Sequence, residues 1–274
     1  MVDHHLNCGS MREIEPVDGT GRGLGPLPLV CHCLLVETDS AGLVLVETGF
    51  GLLNVRHPVD SLGERFLGMA APVLDPEQTA VRQVVALGYT PADVRHIVVT
   101  HLHRDHSGGL SDFPHATVHV SADEHRAATA TSPQRYALAH WAHDPNWATY
   151  DGTGGEAWFS FETAHRLDGL PPDILMIPLA GHSPGHAAVA VRLDEDPECG
   201  PRWLLHAGDA YYHHSELEPD TPTPRELDAM QAVTETDRAL RLGNLARLRA
   251  LARDHADQVD IVCAHDPWEF QRYR

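Results

Sequence analysis

The chain has 274 residues, 42% of them hydrophobic and 22% charged, a balance that excludes a disordered polyelectrolyte and allows a substantial core. Thirty-nine acidic residues against 20 basic ones leave a formal charge of −19, which argues against nucleic acid or an anionic membrane surface as partner. No apolar run approaches the ~20 residues of a membrane span, and the start MVDHHLNCGSMREIEP lacks the order of a secretory signal, so a cytoplasmic enzyme is expected. The five cysteines (Cys8, Cys31, Cys33, Cys199 and Cys263) are odd in number and scattered, a poor disulfide framework. Cys31 and Cys33 lie two apart in VCHCLLVE and read as buried thiols on one face of a strand, since no second pair completes a zinc knuckle.

In chain order, residues 1–27 carry little periodicity and read as an extended lead-in. VCHCLLVE and LVLVETG are strands joined by the turn residues Asp39-Ser40-Ala41-Gly42. Residues 50–74 mix apolar side chains, glycine and proline without alternation, a loop suited to walling a pocket. A helix is expected from Asp75, with Pro76 first and Gln78 completing a capping pattern. Ala80, Val81, Val84, Val85 and Leu87 would form its buried stripe, and Gly88 would stop it.

Thr90-Pro91 with Asp93 opens a short turn, HIVVT is a buried strand, and HLHRDHSGG follows at that strand's carboxyl end. ATVHVS is a strand, after which Ser121 and Glu124 read as a capping box. Residues 130–165 look like a polar and aromatic insertion, whose Trp and Tyr side chains could wall a groove or form a homodimer interface. Strands follow in DILMIP, AAVAVRL and RWLLHAGDA. A helical region runs from about Thr223 to Ala256 with a break near Thr236, the basic run from Arg238 to Arg253 forming a solvated face, and VDIVCAHD is the last strand. Early and late groups of strands, each followed by helices, suggest two sheets packed face to face with helices outside. No Gly/Ser linker divides the chain, so residues 1–274 read as one domain.

The chemistry concentrates in His101-x-His103-x-Asp105-His106, three imidazoles and a carboxylate within six residues. These are suitable ligands for zinc, iron, cobalt or manganese. Just past a strand, His101 and His103 point the same way and can share one ion, while the turn beyond aims Asp105 and His106 at a second. A histidine-rich surface loop is the bland alternative in a chain with 21 histidines, but its placement directly after a buried strand disfavours it.

This HxHxDH segment resembles the signature of the metallo-β-lactamase superfamily. The resemblance continues in order through Gly181-His182-Ser183-Pro184-Gly185-His186, Gly208-Asp209-Ala210 and Ala264-His265-Asp266. It implies a four-layer αββα sandwich: two mixed β-sheets packed face to face with helices outside. It also implies two divalent metal ions, zinc being expected. His101, His103 and His182 would hold one ion, Asp105, His106 and His265 the other, and Asp209 would bridge them. His186 would support the site, and His206, His213 and His214 would be surface or supporting residues. One departure is Glu47-Thr48-Gly49 where the family usually has Asp-Thr-Gly; the longer carboxylate could still hold a ligand histidine by a hydrogen bond, or could equally shift the ligand geometry slightly.

Two such ions would lower the pKa of a shared water, so that a bridging hydroxide attacks a polarised carbonyl, with Asp105 moving the proton. The chain looks most like the quorum-quenching N-acyl homoserine lactonases, which have a tyrosine three residues after the bridging aspartate. Tyr212 holds that position and could donate to the lactone carbonyl, with Tyr211 facing away. A small-molecule ester or lactone is therefore the expected substrate. The alternatives are a thioesterase, an aryl esterase, a β-lactamase, or a non-catalytic metal-binding or structural protein. A glyoxalase II-like thioesterase would be expected to extend beyond the last ligand, whereas this chain ends nine residues after His265.

Overall fold

The computed structural model describes residues 2–14, 26–130, 135–196, 200–218, 221 and 223–274. Cys199 and residues 15–25 of the expected lead-in lie outside the described residues.

The first sheet contains β1 (Val2–Ile14), β2 (Leu27–Thr38), β3 (Gly42–Val46), β4 (Val94–Val98), β5 (Thr117–Ser121) and β6 (Asn146–Tyr150) in that spatial order. Its first pairings are antiparallel and those from β3 onward are parallel. The second sheet contains β7 (Glu156–Trp158), β8 (Phe161–Arg166), β9 (Ile174–Pro178), β10 (Ala187–Asp196), β11 (Gly200–His206) and β12 (Val259–Val262). Here only β11 and β12 run parallel.

Period-two alternation explains why the sheets stack. Leu34 and Val36 of β2, paired with Val46 and Val44 of β3, face the second sheet and meet Val189, Val191, Met176 and Val262. The intervening Cys33, Leu35, Leu43 and Leu45 face the other way, onto Ala80, Val81 and Val84 of a covering helix. A one-residue slip would exchange these two apolar sets, so the register is strongly specified. On the far side, Ala188, Ala190 and Leu205 of the second sheet pack beneath Leu245, Leu248 and Leu251. Helix, sheet, sheet and helix make the four-layer sandwich.

The helices are α1 (Leu52–Arg56), α2 (Pro58–Leu62), α3 (Glu64–Ala70), α4 (Ala80–Ala86), α5 (Arg104–Ser107), α6 (Ala122–Thr129), α7 (Arg225–Thr234), α8 (Arg238–Asp254) and α9 (Pro267–Gln271). Several sequence readings change here. The aperiodic start is an edge strand, β1, and the expected 50–74 loop is three short helices. The helix expected from Asp75 begins only at Ala80. Asp75 caps a separate turn by accepting from Glu77 N (2.9 Å), and Thr79 precedes the helix. Val85 and Leu87 are exposed, because Val85 faces away from the stripe of Ala80, Val81 and Val84 and Leu87 lies past the last helical residue. Gly88 does end the helix, at φ 95°.

The aromatic segment supplies β6 to one sheet and β7 and β8 to the other, so residues 146–166 carry the chain between sheets. Its Trp158 and Phe161 are buried in the outer core of the second sheet, and Trp141 and Trp147 pack on that of the first. These four side chains are committed, wholly or in part, to the cores of this chain. Arg241, expected on a solvated face, is buried and bonds Glu235 Oε2 (2.6 Å) across the break between α7 and α8. Among the described residues no helix is long and apolar enough to cross a membrane.

Candidate metal centre

The carboxyl ends of β4, β9, β11 and β12 meet at one end of the sandwich. His101 and His103 follow β4, His182 lies between β9 and β10, Asp209 follows β11, and His265 follows β12. Helix α5 turns Asp105 and His106 back toward them. Gly208, at φ 55°, makes the bend that aims Asp209: a Cβ there would lie 2.6 Å from His186 Nε2 and 2.7 Å from Thr100 Oγ1.

Asp209 stands between two histidine sets. Its Oδ2 lies 3.2 Å from His182 Nε2 and 3.8 Å from His101 Nε2. Its Oδ1 lies 3.3 Å from His106 Nε2 and 3.1 Å from His265 Nε2. Asp105 faces the second set, 3.8 Å from His106 Nε2 and 3.6 Å from His265 Nε2. His103 Nδ1 and His182 Nε2 approach to 2.9 Å on the first side. Ligand atoms around a tetrahedral zinc with bonds of 2.0–2.1 Å sit about 3.3 Å apart, the scale of these separations.

Two of the inner nitrogens and one carboxylate oxygen also lack hydrogen-bond partners. Nε2 of His101 and of His106 and Oδ1 of Asp209 are buried with no hydrogen bond, whereas buried polar atoms are ordinarily satisfied. The outer nitrogens of His106 and His265 are held: His265 Nδ1 donates to Val30 O (2.8 Å) and His106 Nδ1 to Glu47 Oε2 (3.0 Å). Each bond leaves the Nε2 lone pair directed inward. The donor set fits a dinuclear divalent-metal site.

Glu47 is the expected support. It adopts φ 67°, a left-handed conformation costing a non-glycine residue about 1–2 kcal/mol, and from there Oε1 also accepts from Thr100 N (2.6 Å). Burial alone would raise its pKa, but His106 and the bond from Thr100 hold it below the ordinary carboxylate value. The longer side chain therefore spans the ligand loop and the end of β4 at once. His186 acts on Asp209 through the backbone, its Nδ1 donating to Leu179 O (3.1 Å) and its Nε2 accepting from Asp209 N (2.9 Å).

His206 is fully buried and donates to His32 O (2.7 Å), tying the two sheets together beneath the site. His213, His214 and Asp266 form another donor group, but Asp266 is occupied as a helix cap. Its Oδ1 accepts from Trp268 N and Glu269 N, and its Oδ2 from both nitrogen donors of His214. His213 Nδ1 is likewise spent on Ser215.

A cavity of about 350 Å³ opens onto the cluster, lined by Asp105, Asp209, His265 and Tyr212. Its apolar wall comes from Leu62, Phe66 and Met69 in the α2–α3 segment and from Met230 and Val233 of α7. The segment expected to wall a pocket does so, and among the described residues of the aromatic stretch only Arg135 reaches it. Tyr212 is buried with its hydroxyl 3.1 Å from Thr234 Oγ1, and its ring centroid lies 5.4 Å from that of His265. Tyr211 faces the opposite core and donates to Glu269 Oε1 (2.9 Å).

A profile of the metallo-beta-lactamase superfamily matches residues 26–257, and the chain belongs to that superfamily. A probable metallo-hydrolase of Mycobacterium tuberculosis is 40% identical over 275 residues, covering 99% of this chain and 82% of the relative. The N-acyl homoserine lactonase AttM of Agrobacterium fabrum is 32% identical over 244 residues, covering 84% of this chain and 80% of that enzyme. A solved N-acyl homoserine lactone hydrolase with N-hexanoyl-L-homoserine at its catalytic metal centre superposes with a TM-score of 0.70 at 23% identity. The match covers 99% of this chain and 96% of that one, and likeness at this identity defines the fold. Fold and donor clusters together support a metal-dependent hydrolase.

Metal binding to such a cluster must couple to stability. An ion at 1,000 times its Kd stabilises the folded state by about 4 kcal/mol. Chelation is therefore expected to lower the melting temperature by more than about 10 °C, with zinc restoring it. Calorimetry checks this, and a melting temperature indifferent to chelator would remove the metal reading.

Proposed function

We propose that this protein is a dinuclear metal-dependent hydrolase that opens lactones, N-acyl homoserine lactones being the substrate class. His101, His103 and His182 would hold one ion, Asp105, His106 and His265 the second, and Asp209 would span both. Zinc suits this imidazole and carboxylate set. When bound, the ions supply a water of lowered pKa and a Lewis acid for a carbonyl.

The chain's own groups account for the rest. Asp105 lines the cavity, where it would orient the attacking water and carry its proton to the leaving alkoxide. Tyr212 borders the same space and donates to the carbonyl oxygen as negative charge develops there. Burial and the Asp209 carboxylate raise its pKa well above that of free tyrosine, so the hydroxyl keeps its proton. The wall of Leu62, Phe66, Met69, Met230 and Val233 offers apolar surface to an acyl chain. The observation that carries this reading is that Tyr212 and an apolar wall line the same cavity as Asp105, Asp209 and His265.

The test is hydrolysis by zinc-loaded protein of homoserine lactones of several acyl lengths, a γ-lactone, an aryl ester, a thioester and a β-lactam. A kcat/KM at least about tenfold higher for acylated lactones is expected. Preference for the thioester, aryl ester or β-lactam would transfer the substrate assignment to that class.

A further inference from the structure

We infer that Glu124 is a positioning residue for the first metal site, a single buried carboxylate that locks the His101/His103 loop to the His182 loop. It stands at the third position of α6, where local sequence suggests a capping box with Ser121, yet Ser121 makes no side-chain cap bond there. The side chain turns inward and is fully buried.

Its bonds reach both ligand loops. Oε1 accepts from Leu102 N (3.0 Å), the amide between His101 and His103. Oε2 accepts from Ser183 Oγ (2.6 Å), next to His182, and from Gly185 N (3.1 Å) two residues further on. Gly185 packs so tightly here that a Cβ would lie 2.1 Å from Glu124 N. The loops are far apart in sequence, and their direct backbone link nearby is Ala187 N to Thr100 O (2.9 Å), beyond the ligands on both sides. Glu124 therefore sets the spacing between His103 and His182, whose facing nitrogens stand 2.9 Å apart.

Leu102 N, Ser183 Oγ and Gly185 N are all donors, which demands an acceptor at both oxygens. A glutamine has one acceptor atom and one donor atom at this end. In either orientation its NH₂ meets a fixed backbone N–H, of Leu102 or of Gly185, so an arm of the clamp opens without loss of volume. The second metal site, built from Asp105, His106 and His265, draws its supports from Glu47 and Val30 and has no bond to Glu124. The consequence is a site-selective defect.

This inference rests on the metal-holding reading of the centre and is independent of the substrate. The experiment titrates zinc alone into metal-stripped full-length protein against a chromophoric chelator, for wild type, Glu124→Gln and Ser183→Ala. Wild type is expected to bind two ions. Glu124→Gln should lose about 10–100-fold affinity in one binding step and keep the other within about threefold. Ser183→Ala, which removes one donor and leaves the amide contacts, should weaken the same step severalfold and serves if Glu124→Gln fails to fold. Cobalt-loaded protein should show the altered band of one site only. Two unchanged binding steps in both variants, or equal weakening of both steps, would overturn the role of Glu124. Absence of zinc binding by wild type would instead overturn the metal reading on which it stands.

Discussion

Asp209→Asn is expected to lower bound metal from two ions per chain to one or fewer and kcat/KM by about 10³-fold or more, roughly 4 kcal/mol of transition-state stabilisation. The two carboxylate oxygens serve different sets, Oδ2 facing His101 and His182 and Oδ1 facing His106 and His265. Burial alone would raise the pKa of this acid, but His265, His106 and His182 hold it well below the ordinary carboxylate value, so it is an anion between them. Asparagine keeps the shape and removes the charge. Its NH₂ must also replace one of those two oxygens, presenting hydrogens where a lone pair was. Backbone bonds at this position are untouched, since His186 accepts from Asp209 N and not from the carboxylate. The fold of the metal-free protein should therefore persist, seen as an unchanged far-ultraviolet dichroism spectrum. Elemental analysis and initial rates then measure the loss. Two retained ions with a rate within about threefold of wild type would contradict the bridging role.

How much of this centre is legible in the sequence depends on how local each part is. His101, His103, Asp105 and His106 are readable because a strand and one short turn bring them together, and strand periodicity already says which pairs share a side. His182, Asp209 and His265 come from three separate strand ends; only the resemblance of their flanking segments assigns them. Glu124 is illegible for a sharper reason. Ser121-x-x-Glu124 satisfies the local rule for a helix cap, and tertiary donors at Leu102, Ser183 and Gly185 outcompete it. The same competition explains the fold's surprises. Helices α1 and α2 have five residues each, too short for a 3.6-residue pattern to emerge. Strand β1 lies at a sheet edge and mixes His4, His5 and Asn7 among its apolar residues, so alternation is weak. The central strands β2, β3 and β10 are buried on both faces and read plainly as apolar runs.

Tyr212→Phe is expected to lower kcat on lactones by about 10²-fold, near 2.7 kcal/mol, while leaving zinc content at two and stability within about 1 kcal/mol. The hydroxyl lies 3.1 Å from Thr234 Oγ1, and Thr234 itself donates to Met230 O at 2.9 Å. With the threonine hydrogen committed there, the tyrosine is the donor of the pair. Rotation about its C–O bond then exchanges a neutral acceptor for the carbonyl oxygen, whose negative charge grows toward the transition state. That bond strengthens as the reaction proceeds, so its loss should fall on kcat more than on KM. The ring is retained in phenylalanine, and with it its place in the buried apolar cluster that includes Leu62 and Leu227. A raised tyrosine pKa adds a second expectation: wild-type activity shows no alkaline loss traceable to Tyr212 below about pH 10, and the variant keeps the shape of the pH–rate profile. Steady-state kinetics over pH 6–10 with one acylated lactone measures both quantities. A purely KM-borne effect would make Tyr212 a binding surface for the substrate, and an unchanged kcat would remove it from the reaction.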